Sequence, residues 1–111
     1  MIKMTRGDTQ PLRFQRLDDE NHVITDAPDA MYFTVKRSWD DETPVLQKSL
    51  ADMYMDEDGT WHFVISAAET QALSYGTYVF DLEVTVSTCV TTICKDELAL
   101  TREATWSSNK S

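Results

Sequence analysis

Two cysteines, two histidines and nineteen carboxylates are the side chains in this sequence that could build a reactive or metal-binding site. Cys89, Cys94, His22 and His62 suffice in number for a zinc ion. Neither Cys-x-x-Cys nor His-x-x-x-His spacing occurs, however, so no metal and no cofactor is expected. The separation of Cys89 and Cys94 suits a bridge across a short hairpin if the two face each other on neighbouring strands. The alternative is a pair of free thiols filling space at strand positions in a reducing compartment. Asp56-Glu57-Asp58-Gly59 has the composition of a calcium loop. With Gly59 sixth, that register demands carboxylates at Tyr54 and Ile65, which have none. A solvated turn is expected there and at Asp40-Asp41-Glu42, with weak surface calcium binding as the alternative.

Catalysis finds little to work with. No Gly-x-Ser-x-Gly elbow is present, and three glycines in all cannot make a phosphate-cradling loop. The carboxylates fall on turns and on outward strand positions, where water keeps them ordinary. The chain is therefore expected not to be an enzyme and to bind no small-molecule substrate. Arg6-Gly7-Asp8 matches an adhesion tripeptide, but such a signal needs an exposed loop tip. Here Gly7 is expected to bend the chain between two strands at the N-terminal edge. Trp61 belongs to a core stripe. Trp39 lies among acids and Trp106 near the C-terminal end, and each is either a local packing plug or an interface anchor. Lys36, Arg37 and Lys48 are too scattered to form a nucleic-acid stripe.

The elements that must position these residues follow from period-two alternation. Met31, Phe33 and Val35 point one way and Tyr32, Thr34 and Lys36 the other. Trp61, Phe63 and Ile65 repeat the pattern, as does the long series Tyr78, Phe80, Leu82, Val84 and Val86. Leu12 with Phe14, Val45–Lys48, Met53–Met55, and Ile93 with Leu98 and Leu100 supply shorter runs. Polar turns at Asp18–Asn21, Asp26–Asp29, Trp39–Pro44 and Asp56–Gly59 divide them. Seven to eight short strands at this spacing predict an all-β, immunoglobulin-like sandwich. The one helical signal is Ser66–Leu73, where Ser66 and Glu69 form a capping box and Gly76 ends the segment. Leu73, Gly76 and Tyr78 have the spacing of a tyrosine corner, in which the Tyr78 hydroxyl bonds back to main chain upstream. The alternative is that Tyr78 is simply the first inward residue of its strand.

Size and charge set the outer limits. The 111 residues are 41% hydrophobic and 26% charged, which suits one domain over residues 1–106 with a polar tail at 107–111. A net charge of −9 repels phosphate backbones and anionic lipid, so no nucleic-acid or membrane partner is expected. The opening Met1–Arg6 lacks the apolar stretch of a signal peptide, and synthesis in the cytoplasm without secretion is expected.

Beyond these patterns, the order of segments resembles a family of small structural proteins of tailed phages and prophages of Gram-positive bacteria. It is also similar to the N-terminal domain of phage baseplate upper proteins. The resemblance rests on Met4-Thr5-Arg6-Gly7-Asp8-Thr9, Met31–Lys36, Asp56–Trp61, Glu69-Thr70 and Leu73–Asp81. It implies a non-enzymatic virion component of tail or baseplate, made in the bacterial cytoplasm and working by assembly with other virion proteins or with itself. An immunoglobulin-like carbohydrate-binding or adhesion module is the alternative, and would need two exposed rings on one face.

Overall fold

The computed structural model describes residues 1–101. Eight strands form two sheets: β1 (Ile2–Thr5), β2 (Gln10–Gln15), β3 (Ala30–Lys36), β4 (Leu46–Ser49), β5 (Tyr54–Met55), β6 (Thr60–Ile65), β7 (Gly76–Val86) and β8 (Cys89–Thr101). The larger sheet has the order β1-β8-β7-β3-β4 and the smaller β2-β6-β5. In immunoglobulin terms β2, β6 and β5 take the places of strands B, E and D. Strands β3, β7 and β8 take those of C, F and G, with β4 added beside β3 as in variable-type domains. The sandwich is therefore all-β and immunoglobulin-like.

Alternation does what the sequence predicts through most of the core. Met31, Phe33 and Val35 on β3 lie opposite Val84, Leu82 and Phe80 on β7, and all six are buried. Trp61, Phe63 and Ile65 project from β6 to meet them, and Leu12 and Phe14 add a half-buried rim from β2. The Phe33 ring sits 4.9 Å from Phe63 in the other sheet and 5.2 Å from Phe80 in its own, within the range where aromatic pairs attract.

Between the sheets, the helix α1 spans Ala67–Gln71, shorter than Ser66–Leu73. Ser66 Oγ accepts from the Glu69 N–H, and the Glu69 carboxylate accepts from the Ser66 N–H, so both halves of the capping box form. A second element, a 3₁₀ turn at Leu50–Asp52, has its own Ser49–Asp52 box. At the Asp56–Gly59 turn, Gly59 has φ +81° and packs under Val23. A Cβ there would lie 2.6 Å from Val23 Cγ1, so only glycine fits.

Three expectations need correction. Val86 is expected inward at the end of its series, but it is 44% exposed, as the last residue of β7 and one beyond the stretch paired with β3. Ile93 is also exposed: a bulge opposite Leu82/Glu83 makes it the extra residue of β8 and reverses which side chains face the sandwich. The cysteines do not fill core space. Both are exposed and free, and both lie on β8. Five residues along one strand place them roughly 16 Å apart, beyond disulfide reach.

Candidate interaction site

The two sheets close along one side of the sandwich and stay open along the other. β1 pairs with β8 only over Leu98–Thr101, in parallel, because its four residues run out at Ile2. Among the described residues, the Cys89–Glu97 stretch of β8 has β7 on one side and no strand on the other, and β2 likewise has only β6. Between these two free edges runs a lateral cleft.

Its wider part has a volume of about 460 Å³, and a narrower part of about 240 Å³ continues toward Met1. Phe14, Leu82 and Cys94 line both parts. Val84, Val86, Thr91 and Ile93 form one wall of the wider part and Leu17 and Ile24 the other. Leu17, Val86 and Ile93, which line the cleft, are all exposed. An apolar seam of this kind, rimmed by polar loops, is a candidate interaction surface.

Electrostatics in the cleft are settled rather than poised. Arg16 donates to the Asp26 carbonyl at 2.9 Å. The Asp96 carboxylate accepts from the Met1 ammonium at 2.9 Å and from the Glu97 N–H, and these bonds hold its pKa below the ordinary 3.8. Neither histidine lines the cleft. The chemistry available there is main-chain hydrogen bonding and apolar burial.

The sequence-selected residues lie elsewhere. Tyr78 Oη donates to the Ser74 carbonyl at 2.7 Å, the tyrosine-corner bond, between α1 and β7. Gly76 begins β7 with φ +143°, and Leu73 packs against the core from its half-buried position. Trp39, in the β3–β4 connection, is 46% exposed, with the Lys95 ammonium 4.6 Å from its ring centroid. One indole face is therefore already occupied. Trp106 and the tail at 107–111 lie outside the described residues.

Arg6-Gly7-Asp8 is clasped against α1. Arg6 donates to the Leu73 and Gln71 carbonyls and stacks over Tyr75, while the Gly7 N–H donates to Thr70 Oγ1. Thr70 is fully buried, and its hydroxyl lies 3.0 Å from both the Asp8 and Ala67 carbonyls. An arginine held by two carbonyls is not presented as an adhesion signal.

The Asp56 turn holds an arrangement that sequence reasoning missed. His62 Nε2 and Asp56 Oδ2 lie 2.8 Å apart, and Tyr54 stacks on the imidazole at 4.9 Å. Asp56 Oδ1 accepts from the Asp58 and Thr60 N–H groups. Led by the His62 bond, these contacts lower the Asp56 pKa. The signal was a carboxylate before the turn and a histidine after it on the paired strand. The carboxylate is spent on the turn and the imidazole, and among the described residues no three acidic, histidine or cysteine side chains converge on a metal position.

No protein-family model matches the chain, and no curated protein does. Among solved structures it is similar to the X-ray structure of the endo-β-1,4-mannanase from Thermotoga petrophila. The two share 13% identity with a TM-score of 0.62, over 92% of this chain and 18% of that one. The chain thus spans under a fifth of that enzyme's length, and the likeness is one of fold alone.

Proposed function

We propose that this protein is a non-enzymatic structural component of a phage or prophage virion, in the tail or baseplate, acting through protein–protein assembly. The observation that carries the reading is the Cys89–Glu97 edge of β8, unpaired among the described residues, beside an apolar cleft, because another polypeptide could cover both. The resemblance of Arg6–Thr9 and Leu73–Asp81 to phage tail proteins supports the virion setting. Repetition around a symmetric tail turns modest single contacts into firm attachment.

The test is co-expression with the tail proteins encoded beside its own reading frame, followed by density-gradient purification of particles. The chain should sediment with the particles at a fixed ratio to a tail protein. Its complete retention in the soluble fraction, binding on a glycan array, or turnover of a polysaccharide would defeat the reading.

A further inference from the structure

We infer that the two acidic turns, at residues 18–22 and 56–60, form one pH-sensitive clasp that tightens when His22 and His62 take up protons and loosens when they release them. Three observations carry this independently of the assembly reading.

The first is that the two turns are built alike. In each, an aspartate N–H donates to the carbonyl of the fifth residue: Asp18 to His22 at 2.9 Å and Asp56 to Thr60 at 2.9 Å. The fourth residue takes a positive φ, +66° at Asn21 and +81° at Gly59. One carboxylate oxygen then holds two amides. Asp18 Oδ1 accepts from the Glu20 and His22 N–H groups, and Asp56 Oδ1 from those of Asp58 and Thr60. In both turns the other oxygen, Oδ2, meets an imidazole, at 3.7 Å from His22 Nδ1 and at 2.8 Å from His62 Nε2. These are the two histidines of the sequence.

The second is that the turns touch. Gly59 packs under Val23, the residue after His22, so closely that a Cβ would meet Val23 Cγ1. Asp18, Asp19 and Glu20 on one turn and Asp56, Glu57 and Asp58 on the other thus share one end of the molecule.

The third is what faces each ring. His62 has Asp56 at hydrogen-bond distance, Tyr54 stacked on it from β5, and Arg13 opposite it on β2. Arg13 opposes a proton on His62, but the contact is made by Asp56. His22 faces Asp18 and Glu20, its Nδ1 4.0 Å from Glu20 Oε2. The nearby Arg16 is spent on the Asp26 carbonyl. The His62 bond lowers the Asp56 pKa, and such coupling is reciprocal.

Histidine changes charge between about pH 5 and 8, where carboxylates stay ionised. A protonated ring makes the Oδ2 contact charge-assisted and offsets repulsion among the six acids. The clasp is strongest with both partners charged. It loosens as pH rises through the histidine range, and again as pH falls through the Asp56 value, below 3.8.

Amide hydrogen exchange of the full chain, corrected for intrinsic exchange rates, tests this. From about pH 7 to about pH 5.5, protection at Glu20, His22, Asp58 and Thr60 should rise about threefold. H62Q should abolish the rise at Asp58 and Thr60 and, through the Gly59–Val23 contact, reduce it at Glu20. H22Q should abolish it at Glu20. In wild-type NMR spectra the Asp58 and Thr60 amide shifts should titrate together with the His62 ring protons.

A rise that persists when both histidines are glutamine, no rise at all, or a fall overturns the inference. So does an H62Q variant that leaves Glu20 unaltered, since the turns would then act separately. Should a variant misfold, the wild-type titration decides: amide shifts that do not follow the His62 ring overturn the clasp.

Discussion

Glu69 does two jobs through one carboxylate. It closes the capping box at the start of α1 and receives the Lys48 ammonium at 2.7 Å from β4, tying the helix to the edge of the larger sheet. Partial burial works against its charged form, but the Lys48 bond and the Ser66 contacts outweigh it and leave the pKa below the ordinary 4.5. A carboxyl with a depressed folded pKa contributes stability above its unfolded value and loses it as pH falls through the folded one. Glu69→Gln keeps an acceptor for the Ser66 N–H and removes only the ion pair. It should cost about 1 kcal/mol at neutral pH in urea unfolding. Below pH 4.5 the gap between variant and wild type should close. A gap that stays constant down to strongly acidic pH would show that Lys48 contributes packing rather than charge.

At the scale of elements, the β7–β8 hairpin differs from the rest of the fold. Its turn is Ser87-Thr88, with φ of +49° and +69°, the left-handed pair of a type I′ turn, built from residues that disfavour it. Asp29 helps hold it by accepting from the Ser87 N–H at 2.7 Å. Replacing the pair by Asn-Gly (S87N with T88G) relieves the strain and keeps that N–H. It should raise stability by about 1 kcal/mol and Tm by several degrees, measured by calorimetry. An unchanged or lowered Tm would mean that Asp29 and the strands, not the turn residues, fix the tip. The same hairpin marks where the sequence stopped being legible. Met31–Val35, Trp61–Ile65 and Phe80–Val84 alternate cleanly because two sheets bury one face of each. Cys89-Val90-Thr91-Thr92-Ile93-Cys94 shows no such rhythm, since no opposing sheet selects a face and the bulge reverses parity midway. β1 was legible only as an unbounded strand before Gly7, because it is four residues long and only Met4 is buried. The cleft was therefore unreadable, because it depends on where strands end, and alternation says nothing about length.

For the whole molecule, five strands face three, and the surplus length of β8 and β7 is what opens the seam. Over this geometry lies a charge of −9, which acts at distances the seam cannot reach. The two should separate kinetically in any complex with a charged partner. The long-range field alters the rate of encounter and is screened within a Debye length of about 10 Å at 0.1 M salt. Once the partner is seated, apolar burial and main-chain hydrogen bonds set how long it stays. Raising salt from about 0.05 M to 0.5 M should therefore change the association rate constant about tenfold, downward for a basic partner and upward for an acidic one. It should leave the dissociation rate constant nearly unchanged, as read by stopped-flow fluorescence with the tail protein that sediments with the chain. Cys94→Trp should do the reverse, raising the dissociation rate while preserving the salt dependence of association, because it alters the seam and leaves the charge untouched. A salt effect confined to dissociation would mean that charged side chains touch the partner directly, and the division of labour between field and cleft would then be wrong.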